Sequence, residues 1–221
     1  MRSVIITGAH GGLGKELVKT FCGMDKVFAI GRTFDPEFVS DCFSATHIHI
    51  NLENVSSLRE MYSRFFDDED GLDILINNAA VYLNKPFAQM NSYEIHSTLN
   101  VNLKIPILLS HMFWEKLKKR KGIIINVNSL AGKYGAQGES LYCAAKHGLS
   151  GFSKAIQFDA TAAGIRVANV FCGAMKTKMS DGRQDWHKFI SPQEVAEQIH
   201  QLCEHTDSLR VTEIELMRSR Y

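Results

Sequence analysis

Residues 3–14 read Ser-Val-Ile-Ile-Thr-Gly-Ala-His-Gly-Gly-Leu-Gly. The compact apolar run Ser3–Thr7 stops in glycines, and Leu13, Leu17, Val18 and Phe21 then recur at helical spacing within 13–24. A buried strand that turns through glycine into a helix lets backbone N–H groups and the positive helix N-terminus approach phosphate oxygens. The glycines form GxxxGxG through Gly8, Gly12 and Gly14; the literal GxGxxG fingerprint is absent. The place of this loop between strand and helix carries the reading, since the spacing alone also suits a plain turn packing helix on strand. A triphosphate-binding P-loop needs glycine where Ala9 stands and Ser or Thr where Glu16 stands, so that reading is set aside.

Outward from this loop, short β-rich runs alternate with helical patterns. Strands are expected at Ser3–Thr7, Val27–Ile30, His47–Ile50, Leu72–Ile76, Gly122–Val127 and Ile165–Phe171, with an alternating edge strand at Arg210–Leu216. Helices are expected over 54–68, 91–120, 138–163 and 191–205, the last opened by Ser191-Pro192-Gln193-Glu194 as a capped start. The βαβ alternation predicts an α/β fold, a doubly wound parallel sheet of about seven strands with helices on both faces. No repeat, low-complexity tract or Pro/Gly/Ser linker interrupts the chain, so residues 1–221 are expected to form a single domain.

Composition narrows the function classes. The 221 residues are 45% hydrophobic and 22% charged, ordinary for a globular protein and unlike a disordered or disulfide-dense one. A net charge of +1 gives no pull toward nucleic acid or an anionic membrane. Five cysteines without a CxxC pair suit reduced thiols, and no leader or membrane-spanning run stands out, so a cytoplasmic protein is expected. Nine histidines include no HExxH, and His47 and His49 read as structural, so no metal is expected.

Two further segments point to chemistry. The second strand ends Ile30-Gly31-Arg32-Thr33, where a dinucleotide fold usually has an acid for the ribose 2′-OH. Arg32 suits a 2′-phosphate instead, which favours NADP(H) over NAD(H); Asp35 is left as an alternative ribose acid. Tyr142 and Lys146 lie one helical turn apart, and an ammonium near a phenol favours the phenolate. Ser129 follows the fifth strand; Asn77-Asn78-Ala79-Ala80 follow the fourth and Cys172-Gly173-Ala174 the sixth. Ligands bind at the carboxyl ends of parallel strands, so these segments and the glycine loop converge on one site.

Together, TGAHGGLG, NNAA, VNSLAG and YCAAK resemble the short-chain dehydrogenase/reductase family over nearly the whole chain. The resemblance implies a Rossmann-type fold and hydride transfer between a nicotinamide and a carbonyl or alcohol. It implies Tyr142 as general acid/base, Lys146 as the group that lowers its pKa and binds the nicotinamide ribose, and Ser129 as a hydrogen-bond partner of the substrate oxygen. Asn102 would hold a water linking Lys146 to solvent. Cofactor contacts would come from Thr7, Gly8, His10, Gly12, Leu13, Gly14, Arg32, Thr33, Asn51, Leu52, Asn78, Ala79, Ala80, Gly173, Met175 and Thr177, with Tyr142 and Lys146. The chain departs from the family pattern at Asn51 (usually Asp), Ala80 (usually Gly) and Cys172 (usually Pro), and the last loses a fixed φ.

The resemblance also implies a homodimer or homotetramer through the helices at 91–120 and 138–163. The substrate is expected to be a small-molecule or carrier-bound carbonyl, with 3-oxoacyl-carrier-protein reduction and a non-catalytic NADP(H)-binding redox sensor as alternatives. The basic run at 116–121 reads as helix-end complementation, with docking of an acidic carrier as the sharper alternative. Cys143 reads as a packing residue. Only 178–190 separate Thr177 from the next helix, and the tail Met217–Tyr221 is brief, so a short lid over an open site is expected.

Overall fold

The computed structural model describes residues 1–183, 185–204 and 208–219. Seven parallel strands, β1 (Ser3–Thr7), β2 (Lys26–Gly31), β3 (Thr46–His49), β4 (Ile74–Asn77), β5 (Ile123–Ser129), β6 (Arg166–Cys172) and β7 (Glu213–Leu216), form one sheet in the order 3-2-1-4-5-6-7. Alternate residues face opposite layers. Val4, Ile6, Ala29, Ile76, Ile125 and Val170 pack under α1 (Gly12–Phe21), α2 (Pro36–Asp41) and α8 (Pro192–Cys203). Ile5, Phe28, Leu75, Ile124 and Val167 pack under α3 (Val55–Phe65), α5 (Ile105–Met112), α6 (Trp114–Arg120) and α7 (Ser140–Ala162). Apolar on both faces, the strands read as continuous hydrophobic runs, as parallel sheets do.

The strand order reverses between β1 and β4, which places the glycine loop after β1 beside Asn77 and Asn78 after β4. Asn77, Asn126 and Asn169 stand side by side in register across β4, β5 and β6. The Asn77 amide donates to Asn126 Oδ1 at 2.9 Å, and Asn126 donates to Ser153 Oγ on α7 at 2.9 Å. This buried polar row ties the sheet to the helix that carries Tyr142 and Lys146.

The elements depart from expectation in several details. The helix over 91–120 is not continuous. It runs as α4 (Ser92–Leu99), a π-helical segment Asn100–Lys104, then α5 and α6, which meet at Phe113. Pro106 has no N–H to give, so the α-helical ladder cannot pass Asn102 unbroken. Ser191 stands at the start of α8 without a side-chain hydrogen bond, so Pro192 and the acidic first turn mark that start. α2 lay outside the expected helices because six residues are too few to show a period. The edge strand is shorter than expected: Ile214 and Leu216 face the core while Glu213 and Glu215 meet Lys133. His205, the expected end of α8, together with Gln184 and Tyr221, lies outside the described residues.

Candidate active site

The glycine loop is built by close approach. Gly8 has φ +65°, and a Cβ there would stand 2.8 Å from Ala79 Cα; a Cβ on Gly14 would stand 2.1 Å from the Gly8 carbonyl oxygen. Gly12 faces Thr177, whose methyl would be 2.6 Å from an added Cβ, so the first and last segments of the site touch here. Gly11 precedes α1 without a side-chain cap, and the first turn carries no acid. The leading N–H groups of α1 therefore face outward as an anion-binding end. These features fit a pyrophosphate: the backbone is bare and the helix terminus uncapped.

Several residues expected to touch the cofactor have other work. Thr7 Oγ1 accepts from the N–H groups of Asn78 and Ala79, each at 3.0 Å, and donates to the Ile76 carbonyl. Asn78 donates to the Thr7 carbonyl at 2.8 Å. These two side chains hold the β1 and β4 loops together. The Leu13 side chain is in the core, which leaves only its N–H for a phosphate. Asn51 Oδ1 accepts from Glu53 N–H at 3.1 Å and so closes its own turn, while Leu52 is buried. Ala80 is half-buried behind Ala79.

At the outer end, Arg32 and Thr33 are exposed. Asp35 is paired with Lys15, which holds its carboxyl below the usual range, so the alternative ribose acid is already engaged. His10 lies against Gly31, where a Cβ would come within 2.8 Å of its Nδ1. Burial, then Arg32 and Lys15, push His10 below its ordinary pKa. Phe34 fills the space between His10, His47 and His49, so both strand histidines are part of an aromatic cluster. Among the described residues, no three His, Cys, Asp or Glu side chains are grouped to hold a metal ion.

The catalytic candidates meet at the carboxyl end of β5. Ser129, Tyr142 and Cys172 line one cavity of about 290 Å³ with Tyr82, Glu139 and Arg183. Lys146 is buried beneath, its Nζ donating to the Val127 carbonyl at 3.0 Å and lying 5.7 Å from the Tyr142 ring centre. Burial pulls the Lys146 ammonium down to about 8.

The expected lowering of Tyr142 by Lys146 is not what the geometry gives. Burial raises the Tyr142 pKa well above 10, and the hydrogen bond from Ser129 is what opposes it. Asn102 spends its side chain on backbone partners. Its amide donates to the Val81 and Thr98 carbonyls at 2.8 and 2.9 Å and accepts from Val81 N–H at 3.3 Å, so the side chain is fully used. Its carbonyl, lacking an i+4 donor because residue 106 is proline, is the atom left for a water.

Cys172 is buried, and the turn after it is pinned by other bonds: Gly173 N–H to Leu216, Ile190 N–H to Ala174 and Lys176 N–H to Ile190. Burial pushes the Cys172 thiol up to about 12, so it stays neutral. The 178–190 segment, although short, supplies Met179, Ser180 and Arg183 to the cavity wall alongside Met175 and Thr177.

Sequence reasoning passed over Asn128, Tyr82 and Glu139. Asn128 accepts from Ser129 N–H at 2.8 Å and donates to the Lys146 carbonyl at 3.1 Å, linking the segments that carry both candidates. Its neighbourhood, Asn126-Val127-Asn128-Ser129, carried the signal: two asparagines within an otherwise apolar strand need buried partners.

The short chain dehydrogenase family model matches residues 2–188. The 3-oxoacyl-(acyl-carrier-protein) reductase FabG of Haemophilus influenzae is 30% identical over 191 residues, 83% of this chain and 78% of that protein. An alcohol dehydrogenase from the archaeon Thermococcus sibiricus, complexed with 5-hydroxy-NADP, superposes with a TM-score of 0.88 at 19% identity over all of both chains. A 4-hydroxyisoleucine dehydrogenase complexed with NADH gives 0.87 at 20% identity, covering 98% of this chain and 97% of the other. These two structures bear on the fold alone. With the family model spanning most of the sequence, the chain belongs to the short-chain dehydrogenase/reductase family and is an oxidoreductase.

Proposed function

We propose that this protein is an NADP(H)-dependent oxidoreductase that interconverts a carbonyl and an alcohol, with Tyr142 as general acid/base. The observation that carries the reading is the meeting of Ser129 and Tyr142 at one cavity, with Lys146 buried behind Tyr142 and Thr177 of the cavity wall lying against Gly12 at the start of α1. The cofactor supplies or accepts the hydride when bound. The chain's residues handle the proton and orientation. Ser129 hydrogen-bonds the Tyr142 hydroxyl and is placed to share the substrate oxygen. Lys146, near 8, can exchange a proton close to neutrality, with the Asn102 carbonyl as the next acceptor site for a water. The pyrophosphate would lie on Gly8–Gly14, and Thr177 and Met175, which line the cavity, would hold the nicotinamide end.

Support for NADP(H) over NAD(H) is the exposed Arg32 at the end of β2, with Asp35 held by Lys15. A carrier-bound acyl substrate is supported by the FabG likeness. The basic run does not add to it. It ends α6 where β5 begins, about 20 Å along the strand from Ser129. There Lys119 and Arg120 pair with Asp70, and Lys116 donates to the Glu69 carbonyl. A homo-oligomer is supported by an apolar groove formed by Ile107, Trp114, Phe152 and Ile156 on α5, α6 and α7, suited to a second copy of the chain. Five free thiols suit a reducing, cytoplasmic setting, and no helix among the described residues is long and apolar enough to cross a membrane.

The test is NADPH consumption followed by absorbance across a carbonyl panel that includes 3-oxoacyl thioesters. Tyr142→Phe is expected to bind NADPH as the parent does, by fluorescence titration, and to lose about 10²–10⁴-fold in turnover. Undiminished turnover in that variant sinks the catalytic assignment. NADPH binding without turnover of any carbonyl by the parent would favour the redox-sensor reading.

A further inference from the structure

We propose that Tyr82 is a positioning residue for Tyr142, holding its ring from the side and restraining the Glu139 carboxylate that stands beside it. The Tyr82 ring meets the Tyr142 ring edge to face, with centroids 5.3 Å apart and planes at 85°. Together with Ala131 and Cys143 they form a small cluster separate from the main core. The Tyr82 hydroxyl donates to Glu139 Oε1 at 2.7 Å. Glu139 is three residues before Tyr142, at the entry to α7, and its carbonyl accepts from Cys143 N–H.

Tyr82 sits on an irregular segment after β4, and that segment is fastened at both ends. Asn102 brackets Val81 with two hydrogen bonds. Asn84 donates to the Gln137 carbonyl at 3.2 Å, and Lys85 N–H donates to the Gly138 carbonyl at 2.8 Å. Gly138, at φ +76°, lies so close that a Cβ would stand 2.7 Å from Asn84 Oδ1. The segment is thus docked onto the turn that starts the catalytic helix, with Tyr82 and Glu139 both exposed to the cavity. This gives Asn102 an indirect part in the same arrangement, since its amide places the backbone next to Tyr82.

The groups facing Tyr142 come from every packed element: Ser129 after β5, Cys172 at the end of β6, Tyr82 from the loop, and Glu139 and Lys146 from its own helix, with Arg183 near Tyr82. Of these Glu139 is the carboxylate, and its charge opposes the phenolate. A hydrogen bond from Tyr82 draws part of that charge away. Loss of the Tyr82 hydroxyl frees the carboxylate toward Tyr142 and raises the pKa at which the phenolate forms.

This inference rests on Tyr142 acting as the acid/base, and the experiment separates the two. The readout is the pH profile of kcat for alcohol oxidation, in the parent, Tyr82→Phe, Glu139→Gln and the double variant. Tyr82→Phe keeps the ring, and the ascending, acid-side limb of its profile is expected to move to higher pH by about half a unit. The double variant is expected to lose that displacement, because no carboxylate remains to be freed. Tyr82→Ala is expected to lower kcat by about tenfold beyond Tyr82→Phe, with NADPH affinity unchanged. A Tyr82→Phe profile that coincides with the parent's, or one displaced equally with and without Glu139, overturns the proposal. If Tyr142→Phe retains turnover, the functional reading fails with it; if Tyr142→Phe is inactive while the Tyr82→Phe profile is unmoved, this inference alone fails.

Discussion

The loop at Gly8–Gly14 and the segment Ser129–Lys146 are held in opposite ways. Around the glycines, position comes from the absence of side chains: Gly8, Gly12 and Gly14 each press against a neighbour with no space for a Cβ. Around Tyr142, position comes from side chains already spent on hydrogen bonds: Asn128 on Ser129 N–H and the Lys146 carbonyl, Lys146 on Val127, Tyr82 on Glu139. The first region fails when an atom is added, the second when one is removed. At the outer end of the cofactor site neither constraint operates, since Arg32 and Thr33 are exposed and free to adapt. Substitutions should therefore fall into graded classes.

After loss of Tyr142 itself, the largest effect is expected from Gly14→Ala. Its Cβ would stand 2.1 Å from the Gly8 carbonyl oxygen and 2.8 Å from Ala9 Cα, both backbone and unable to step aside. Overpacking of this kind costs about 1–3 kcal/mol, and a loop displaced by it should bind NADPH up to roughly a hundredfold more weakly. Fluorescence titration and a thermal melt measure both. Gly11→Ala, whose Cβ meets nothing nearer than 3.4 Å, is the control; equal losses in the two would mean that crowding is not what shapes the loop.

Arg32→Ala should have a smaller and selective effect. An exposed guanidinium on a 2′-phosphate is worth about one factor of ten, and NADH carries no such phosphate. NADPH affinity is expected to fall by about that factor with NADH unchanged. Equal weakening of both cofactors would remove the argument for NADP(H) and place Arg32 elsewhere.

The same contrast explains what could be read from residue order. The strands were legible because both sheet faces are buried, so runs such as Ile123–Ile125 are apolar throughout. The glycine loop and Tyr142/Lys146 were legible because bare backbone and one-turn spacing are local properties. Tyr82 and Glu139 were not, for their pairing spans 57 positions and depends on how the 81–85 segment docks. The break in the 91–120 helix was half legible, since Pro106 was visible, but the need of Asn102 for Val81 was not. The burial of Tyr142 was not legible for a related reason. Spacing shows that Lys146 is near, but not that burial outweighs it.

The smallest effect concerns what the buried Lys146 costs the fold. Lys146 is buried and its ammonium, ordinarily near 10.5, titrates near 8. Below pH 8 both folded and unfolded chains hold the proton. Above 8 the folded chain releases it while the unfolded chain keeps it up to about 10.5, so stability rises with pH in that window. Buried thiols act in the opposite sense. Cys42 is pushed up to about 11, and Cys172 and Cys203 to about 12, so as pH rises through about 9 the unfolded chain alone ionises them and stability falls. Between pH 8 and 9 Lys146 contributes a rise of about 1 kcal/mol, while the three thiols, half-ionised in the unfolded chain by pH 9, take a comparable amount away, so the lysine shows as a difference between the parent and a variant without it. Urea unfolding at the two pH values should show the parent gaining about 1 kcal/mol relative to Lys146→Met, which has no proton to release and keeps the thiol losses alone. An identical pH response in both proteins would mean that the lysine is not neutralised by burial in the folded chain.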